Sequence, residues 1–290
     1  MMISFVNALP GSMAQGLIWG ILGLGVAISY QILDYADLTV DGSFATGGAV
    51  CAVSLIAGYP AAVAVLFAAI AGMIAGFVTG TLHTRLKIPA ILAGILSQLA
   101  LYSVNMRIMG KSNLTISRMH YSLLLSSAKI NHALGVSSVI AAVFVCCLVW
   151  FFRTELGFAV RATGNNEKMA RAQGIDTNAV KRLGLILSNG LVGISGALLA
   201  QYQGNADINM GRGAIVIGLA AVVIGSRLIR KQDHFLIRFT ATLCGSMAYY
   251  IVLSIVIYLG LSTVDLKLFS ALFVVVFLAA PHWKRRIHSC

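Results

Sequence analysis

Residues 20–43, GILGLGVAISYQILDYADLTVDGS, align without a gap on residues 190–213, GLVGISGALLAQYQGNADINMGRG, at a constant offset of 170. Six of the 24 positions are identical: Gly20/Gly190, Gly23/Gly193, Ala27/Ala197, Gln31/Gln201, Ala36/Ala206 and Asp37/Asp207. Each copy is an apolar, small-residue helix that runs into a polar, helix-breaking Ala-Asp-apolar stretch and then resumes as helix. Repeats that carry interrupted helices mark membrane transporters, with the breaks near the transport path.

The composition agrees. The chain is 59% hydrophobic and 10% charged, against about 25% charged in soluble domains. Such a chain has too little polar surface to cover a water-exposed globule. Glycine, at 29 of 290 residues, lets membrane helices approach closely. The first 33 residues hold no Lys, Arg, Asp or Glu, which argues against a cleaved signal peptide with its positive start. The five cysteines lie mostly in apolar runs and lack metal-ligand spacing, so they read as small core residues. The six histidines are scattered toward loop ends and give no metal site.

A span needs about 20 apolar residues, fewer where a broken helix is buried by protein. Nine segments qualify: 13–33, 42–57, 60–82, 88–109, 132–153, 182–202, 212–229, 237–261 and 265–281. The short ones, 42–57 and 212–229, follow the repeated breaks and read as half-helices. With the C-terminus in the cytoplasm, 15 of the 21 Lys and Arg residues face inward. The positive-inside rule therefore favours an outside N-terminus and a cytoplasmic C-terminus. Helix 13–33 then runs inward and helix 182–202 outward, so the repeat is inverted. The expected fold is an all-α membrane protein: one polytopic helical bundle over 1–290 of about nine spans. Repeat one lies at about 13–109, a cytoplasmic loop at about 153–182 and repeat two at about 182–281. The net charge of +12 suits basic loops against anionic headgroups. The basic clusters lack interleaved aromatics, so nucleic acid is not an expected partner.

The longest hydrophilic stretch, residues 153–182, contains Arg161-Ala162-Thr163-Gly164-Asn165-Asn166-Glu167-Lys168-Met169-Ala170-Arg171-Ala172-Gln173-Gly174-Ile175. Asn165 or Asn166 can cap a short helix that Gly174 ends in the left-handed conformation. Arg161, Ala162, Gly164, Asn166, Ala170, Gly174 and Ile175 resemble the cytoplasmic coupling loop of ABC-importer permeases in the branched-chain amino acid and ribose permease family. That family usually has a second Ala where this chain has Met169. Asp37-Leu38-Thr39-Val40-Asp41-Gly42-Ser43 is similar to the family's segment after the first repeat helix. Gly211-x-Gly213 followed by Ala220-Ala221-Val222-Val223-Ile224-Gly225 is similar to the segment after the second.

The resemblance implies a permease that pairs with a second copy in a bacterial cytoplasmic (inner) membrane. Cytoplasmic ATPase subunits, carrying the ATP and Mg²⁺, would dock on Arg161, Gly164, Asn166, Ala170, Gly174 and Ile175. An extracytoplasmic binding protein would deliver substrate. The chain itself has no Gly-x-x-x-x-Gly-Lys-Ser/Thr loop to cradle phosphate and no nucleophile–base set, so it is not expected to be an enzyme and carries no cofactor of its own.

Asp37, Gly42, Asp207 and Gly211, with Gln31 and Gln201, are the candidates for the translocation path or for half-helix caps. A carboxylate at membrane depth is costly and marks function, yet the main expectation is that each Asp caps the half-helix after it, accepting backbone N–H groups at a positive dipole end. Asp34 and Asp41 fit the cytoplasmic interfacial zone. Segment 111–130, mixed polar and apolar, can lie on the outer surface or form a plain loop. Few charges and several amides suit a net-neutral solute: a hydrophobic or aromatic amino acid, with a sugar or nucleoside as the alternative. A stand-alone ion-coupled secondary transporter is the rival class, but it would need deep carboxylates beyond Asp37 and Asp207. A membrane scaffold leaves the repeat unexplained.

Overall fold

The computed structural model describes residues 2–117, 121, 123–229 and 234–258, together with 268, 272 and 275. Its elements run in order α1 (Met2–Val26), a π-helical turn (Ala27–Ile32), α2 (Val40–Ile56), α3 (Ala61–Thr84), α4 (Ala90–Met109), β1 (Asn113–Thr115) and α5 (Ile130–Phe151). They continue with α6 (Glu155–Asn165), α7 (Glu167–Ala172), α8 (Thr177–Gln203), β2 (Asn205–Asp207), α9 (Ala214–Leu228) and α10 (Phe235–Tyr258). Eight of the nine expected segments are helices. Six of these are long and apolar enough to cross a bilayer, and α2 and α9 are the two shorter apolar helices. Segment 265–281 lies almost wholly outside the described residues.

The two helices of the sequence repeat, α1 and α8, form the centre. About four-fifths of each span is buried (78% and 83%), against 22% for α4 and for α5. They pack antiparallel, fixed by hydroxyls that donate across the seam: Ser188 to the Gly25 carbonyl at 2.8 Å and Ser195 to the Ile18 carbonyl at 2.7 Å. In apolar surroundings such cross-helix bonds satisfy polar groups that have no water to turn to. The outer partners are exchanged, α1 packing on α10 and α8 on α3. Small residues set the distance. A methyl group added at Gly193 would lie 2.6 Å from the Ala68 carbonyl oxygen, and one at Gly16 would lie 2.8 Å from the Met247 Cα. Backbones this close leave no room for a side chain.

Both copies break where the repeat does, but by different means. In the first, the π turn widens the end of α1: Leu33 N donates to Ile28 O at 3.0 Å and Tyr35 N to Ser29 O at 2.9 Å. Asp34 then adopts φ +52. In the second, α8 ends on Gly204 at φ +76. Asp34 and Gly204 are the same aligned position, 170 residues apart, and both are left-handed. After Gly204 the chain enters β2, which pairs antiparallel with β1 in register Asn113↔Asp207, Leu114↔Ala206 and Thr115↔Asn205. Part of the 110–131 connection is thus a strand, clasping the second break. Of the cysteines, Cys51 is buried as expected, while Cys146 and Cys147 face outward on α5.

Candidate functional site

Two regions gather the candidate residues: a buried polar seam where the half-helices begin, and the α6–α7 loop at one end of the bundle.

Asp37 is 2% exposed. One carboxylate oxygen accepts the Thr39 backbone N–H at 2.9 Å and the other accepts the Asn189 amide at 2.6 Å. Asn189 in turn accepts the Ser43 hydroxyl at 2.6 Å and donates to the Leu185 carbonyl at 3.0 Å. Beside it, Thr39, Thr79 and Ser97 form a hydroxyl chain with links of 2.8 and 2.7 Å. The seam therefore ties the start of α2 to α3, α4 and α8. Asp37 meets no cation among the described residues; its hydrogen-bond donors are the Thr39 N–H and the Asn189 amide.

Asp207 does something else. It accepts the Asn209 backbone N–H at 2.7 Å, a local turn, and it is partly exposed. It does not cap α9, which starts seven residues later. The cap comes from Asp41, whose oxygens accept Gly213 N at 3.0 Å and Ile215 N at 2.9 Å. The expectation of matched caps by Asp37 and Asp207 is corrected here: Asp207 caps no half-helix, and Asp41 caps α9. The physical reason is a meeting of helix starts. Gly211 packs on the Asp41 carbonyl with no room for a Cβ. This brings the N-termini of α2 and α9 together, and both present unsatisfied N–H groups and the positive ends of their dipoles. The Asp41 carboxylate, in the first turn of α2, accepts the N–H groups of α9 and lies near the positive end of the α2 dipole.

The other path candidates part company. Gln201 is fully buried: its oxygen accepts Leu124 N at 3.0 Å and its amide donates to Cys51 Sγ at 3.3 Å, so it pins the connection before α5. Its aligned mate Gln31 lies on the π turn at the opposite end of the antiparallel pair, and its buried side-chain oxygen has no partner. Gly42 faces α4, where an added Cβ would sit 3.2 Å from the Gln98 Cα.

The loop is built from two helices where the sequence suggests one. Asn166 ends α6 in extended conformation and caps α7, accepting Met169 N at 3.0 Å. Gly174 ends α7 at φ +84, with Ile175 N donating back to Ala170 O at 3.1 Å. Glu167 clamps α7 to α8 through Lys181 at 2.8 Å and pairs with Arg171 on α7 itself at 2.7 Å. The Lys181 hydrogen bond, more than any other neighbour, holds the Glu167 carboxyl below its ordinary value. Arg161 lies 4.7 Å over the Phe235 ring on α10. Gly164 abuts the Ile32 carbonyl with no space for a side chain, and Ala170 is fully buried. Of the candidate residues, Arg161, Gly164 and Ala170 thus seat the loop on the bundle, and Asn166, Gly174 and Ile175 shape it. The outward surface is shared between the motif residues Asn166 and Gly174 and residues outside the matched pattern, Lys168, Met169, Arg171 and Gln173. No spacing signal marks the latter.

Residues 9–281 match the family described as branched-chain amino acid transport system / permease component. The chain is 40% identical over 269 residues to a tyrosine transport system permease protein of Clostridioides difficile, covering 92% of this chain and 89% of that one. It is 31% identical over 192 residues to an autoinducer 2 import system permease protein of Salmonella paratyphi B, covering 65% and 54%. Among solved structures, PsaBC from Streptococcus pneumoniae in complex with Fab superposes with a TM-score of 0.55 over 96% of this chain and 95% of that one. At 16% identity, that likeness concerns the fold.

Proposed function

The chain belongs to the branched-chain amino acid transport permease family, and on that premise we propose that it is the membrane subunit of a binding-protein-dependent, ATP-driven importer of a neutral hydrophobic or aromatic amino acid. The observation that carries the reading is the seated α6–α7 loop. Its outer face is free, while its inner face rests through Gly164 on the π turn that interrupts α1. A push on α7 has a rigid route to the break in the first repeat, and from there to the Asp37–Asn189 seam. Cytoplasmic ATPase subunits that bind ATP and Mg²⁺ would supply the push. A second copy of this permease would complete the path, and an extracytoplasmic binding protein would load it. The antiparallel packing of α1 and α8 and the shared left-handed position at Asp34 and Gly204 support an inverted repeat. Alternating access then follows from rocking one repeat against the other. In this reading the α6–α7 end is cytoplasmic and the β1–β2 end is outside.

The amino-acid substrate rests on the 40% identical tyrosine permease. Uptake by cells expressing the importer, competed with neutral amino acids, ribose and nucleosides, tests it. Inhibition by tyrosine, phenylalanine or leucine is expected. Inhibition by ribose or a nucleoside alone would replace the amino-acid reading with a sugar or nucleoside one.

A further inference from the structure

Next to the Asp41 cap lies an open pocket of about 140 Å³ between the starts of α2 and α9 and the middle of α4. Its wall includes Asp41, Gln98, Tyr102, Asn105, Ile208 and Arg212. Three features set it apart. Asn105 is 1% exposed, and its side-chain oxygen has no hydrogen-bond partner. A buried amide oxygen facing a cavity calls for a donor from whatever fills that cavity. Asp41 spends one lone pair of each oxygen on the α9 backbone, and a carboxylate has about four such sites. Arg212 is exposed, and no ion pair within 4 Å involves it among the described residues. The pocket thus offers two acceptors in Asp41 and Asn105 and a guanidinium suited to a carboxylate. The ring of Tyr102 and the side chain of Ile208 supply apolar wall.

We propose that this pocket is a binding station in the permease for the charged end of an α-amino acid. The ammonium group donates to Asp41 and Asn105, the carboxylate takes Arg212 and the Gln98 amide, and the side chain points to the open mouth. The assignment rests on the amino-acid reading above and goes beyond it, because it locates recognition within the membrane subunit itself. The volume suits the amino-acid backbone moiety, so the station reads the zwitterion and tolerates varied neutral side chains. A lone amine would leave Arg212 unanswered, and a lone acid would leave Asp41 and Asn105 unanswered.

The test is saturation-transfer NMR on the purified permease–ATPase complex, without binding protein. The probes are L-tyrosine, L-leucine, tyramine and 3-(4-hydroxyphenyl)propanoate. Uptake of tyrosine by intact cells carrying the whole importer is measured in parallel. Both amino acids should bind, with the amine and the acid at least fivefold weaker. Arg212→Gln, Asp41→Asn and Asn105→Leu should each raise the dissociation constant about tenfold or more. Arg212→Lys, which keeps the charge, should lose less, and Asp41→Asn keeps a capping oxygen so that assembly survives. Unchanged binding in Arg212→Gln and Asp41→Asn overturns the station, as does equal binding of the amine or the acid. If wild-type cells take up tyrosine while the complex binds no amino acid, the station falls and the transport reading stands. If wild-type cells take up no amino acid, the transport reading falls and the station with it.

Discussion

Asp37 and Asp41 sit four residues apart and carry different duties, and the difference is testable. Asp37 is buried with two donors, so removing Asn189 leaves half of a carboxylate unanswered. Asn189→Leu should destabilise the detergent-solubilised protein by about 1–3 kcal/mol, the cost of an unmet buried polar group. Asp37→Asn, which keeps an acceptor, should be milder than Asp37→Leu in the same thermal unfolding assay. Equal losses for the two would show that the acceptor is not what matters. Asp41→Ala removes a cap and should cost about 1 kcal/mol, whereas Asp207→Ala should cost less because it gives up only a local turn. The reverse order would contradict the capping assignment. The repeat made Asp37 and Asp207 equivalent on paper. Sequence alignment sees position along the chain, and capping depends on which helix starts lie together. Asp41 has no local signature as the cap of α9, since its partners are 172 and 174 residues away. The cap of α7, which precedes its helix directly, was legible to within one residue, Asn165 or Asn166, and Asn166 fills it.

At the scale of elements, the short helix α7 is held by charge rather than by length. Six residues are too few for a helix to persist alone, so the Glu167–Arg171–Lys181 clamp and the buried Ala170 set its register. Glu167 titrates below its ordinary value. The clamp's contribution is therefore complete above the unfolded value of about 4.3 and fades as pH falls through the lowered folded value. Hydrogen exchange of α7, corrected for intrinsic rates, should be flat from neutral pH to about 5 and accelerate in stronger acid. Glu167→Gln should exchange faster at neutral pH and respond less to acid. A wild-type loop that loosens already near neutral pH would contradict this. The half-helices α2 and α9 were legible because polar breaks precede short apolar runs. The π turn, α6 and the β1–β2 clasp were not. A π turn closes its hydrogen bonds one residue further along the chain than an α-helix does, without a compositional mark, and three-residue strands take their register from tertiary pairing.

For the whole molecule, the account joins three things: an inverted pair of broken helices, a loop seated on one break, and a drive from outside the membrane. The charge bias predicts the orientation. An impermeant thiol reagent applied to intact cells should label a single cysteine at position 118 and spare one at 286; the opposite pattern would invert the molecule. The central claim is that ATP hydrolysis, passed through the seated loop, moves the solute. The most direct measurement is tyrosine uptake together with ATP hydrolysis by the reconstituted complex of permease, ATPase and binding protein, comparing wild type with Gly164→Val. Valine at 164 would meet the Ile32 carbonyl, and overpacking of this kind costs about 1–3 kcal/mol, enough to lift the loop from its seat. The account predicts ATP-dependent uptake in the wild type. In the variant, assembled to the same extent, hydrolysis continues while uptake falls at least tenfold. Uptake that persists without ATP, or a Gly164→Val complex that assembles and transports like the wild type, would contradict it.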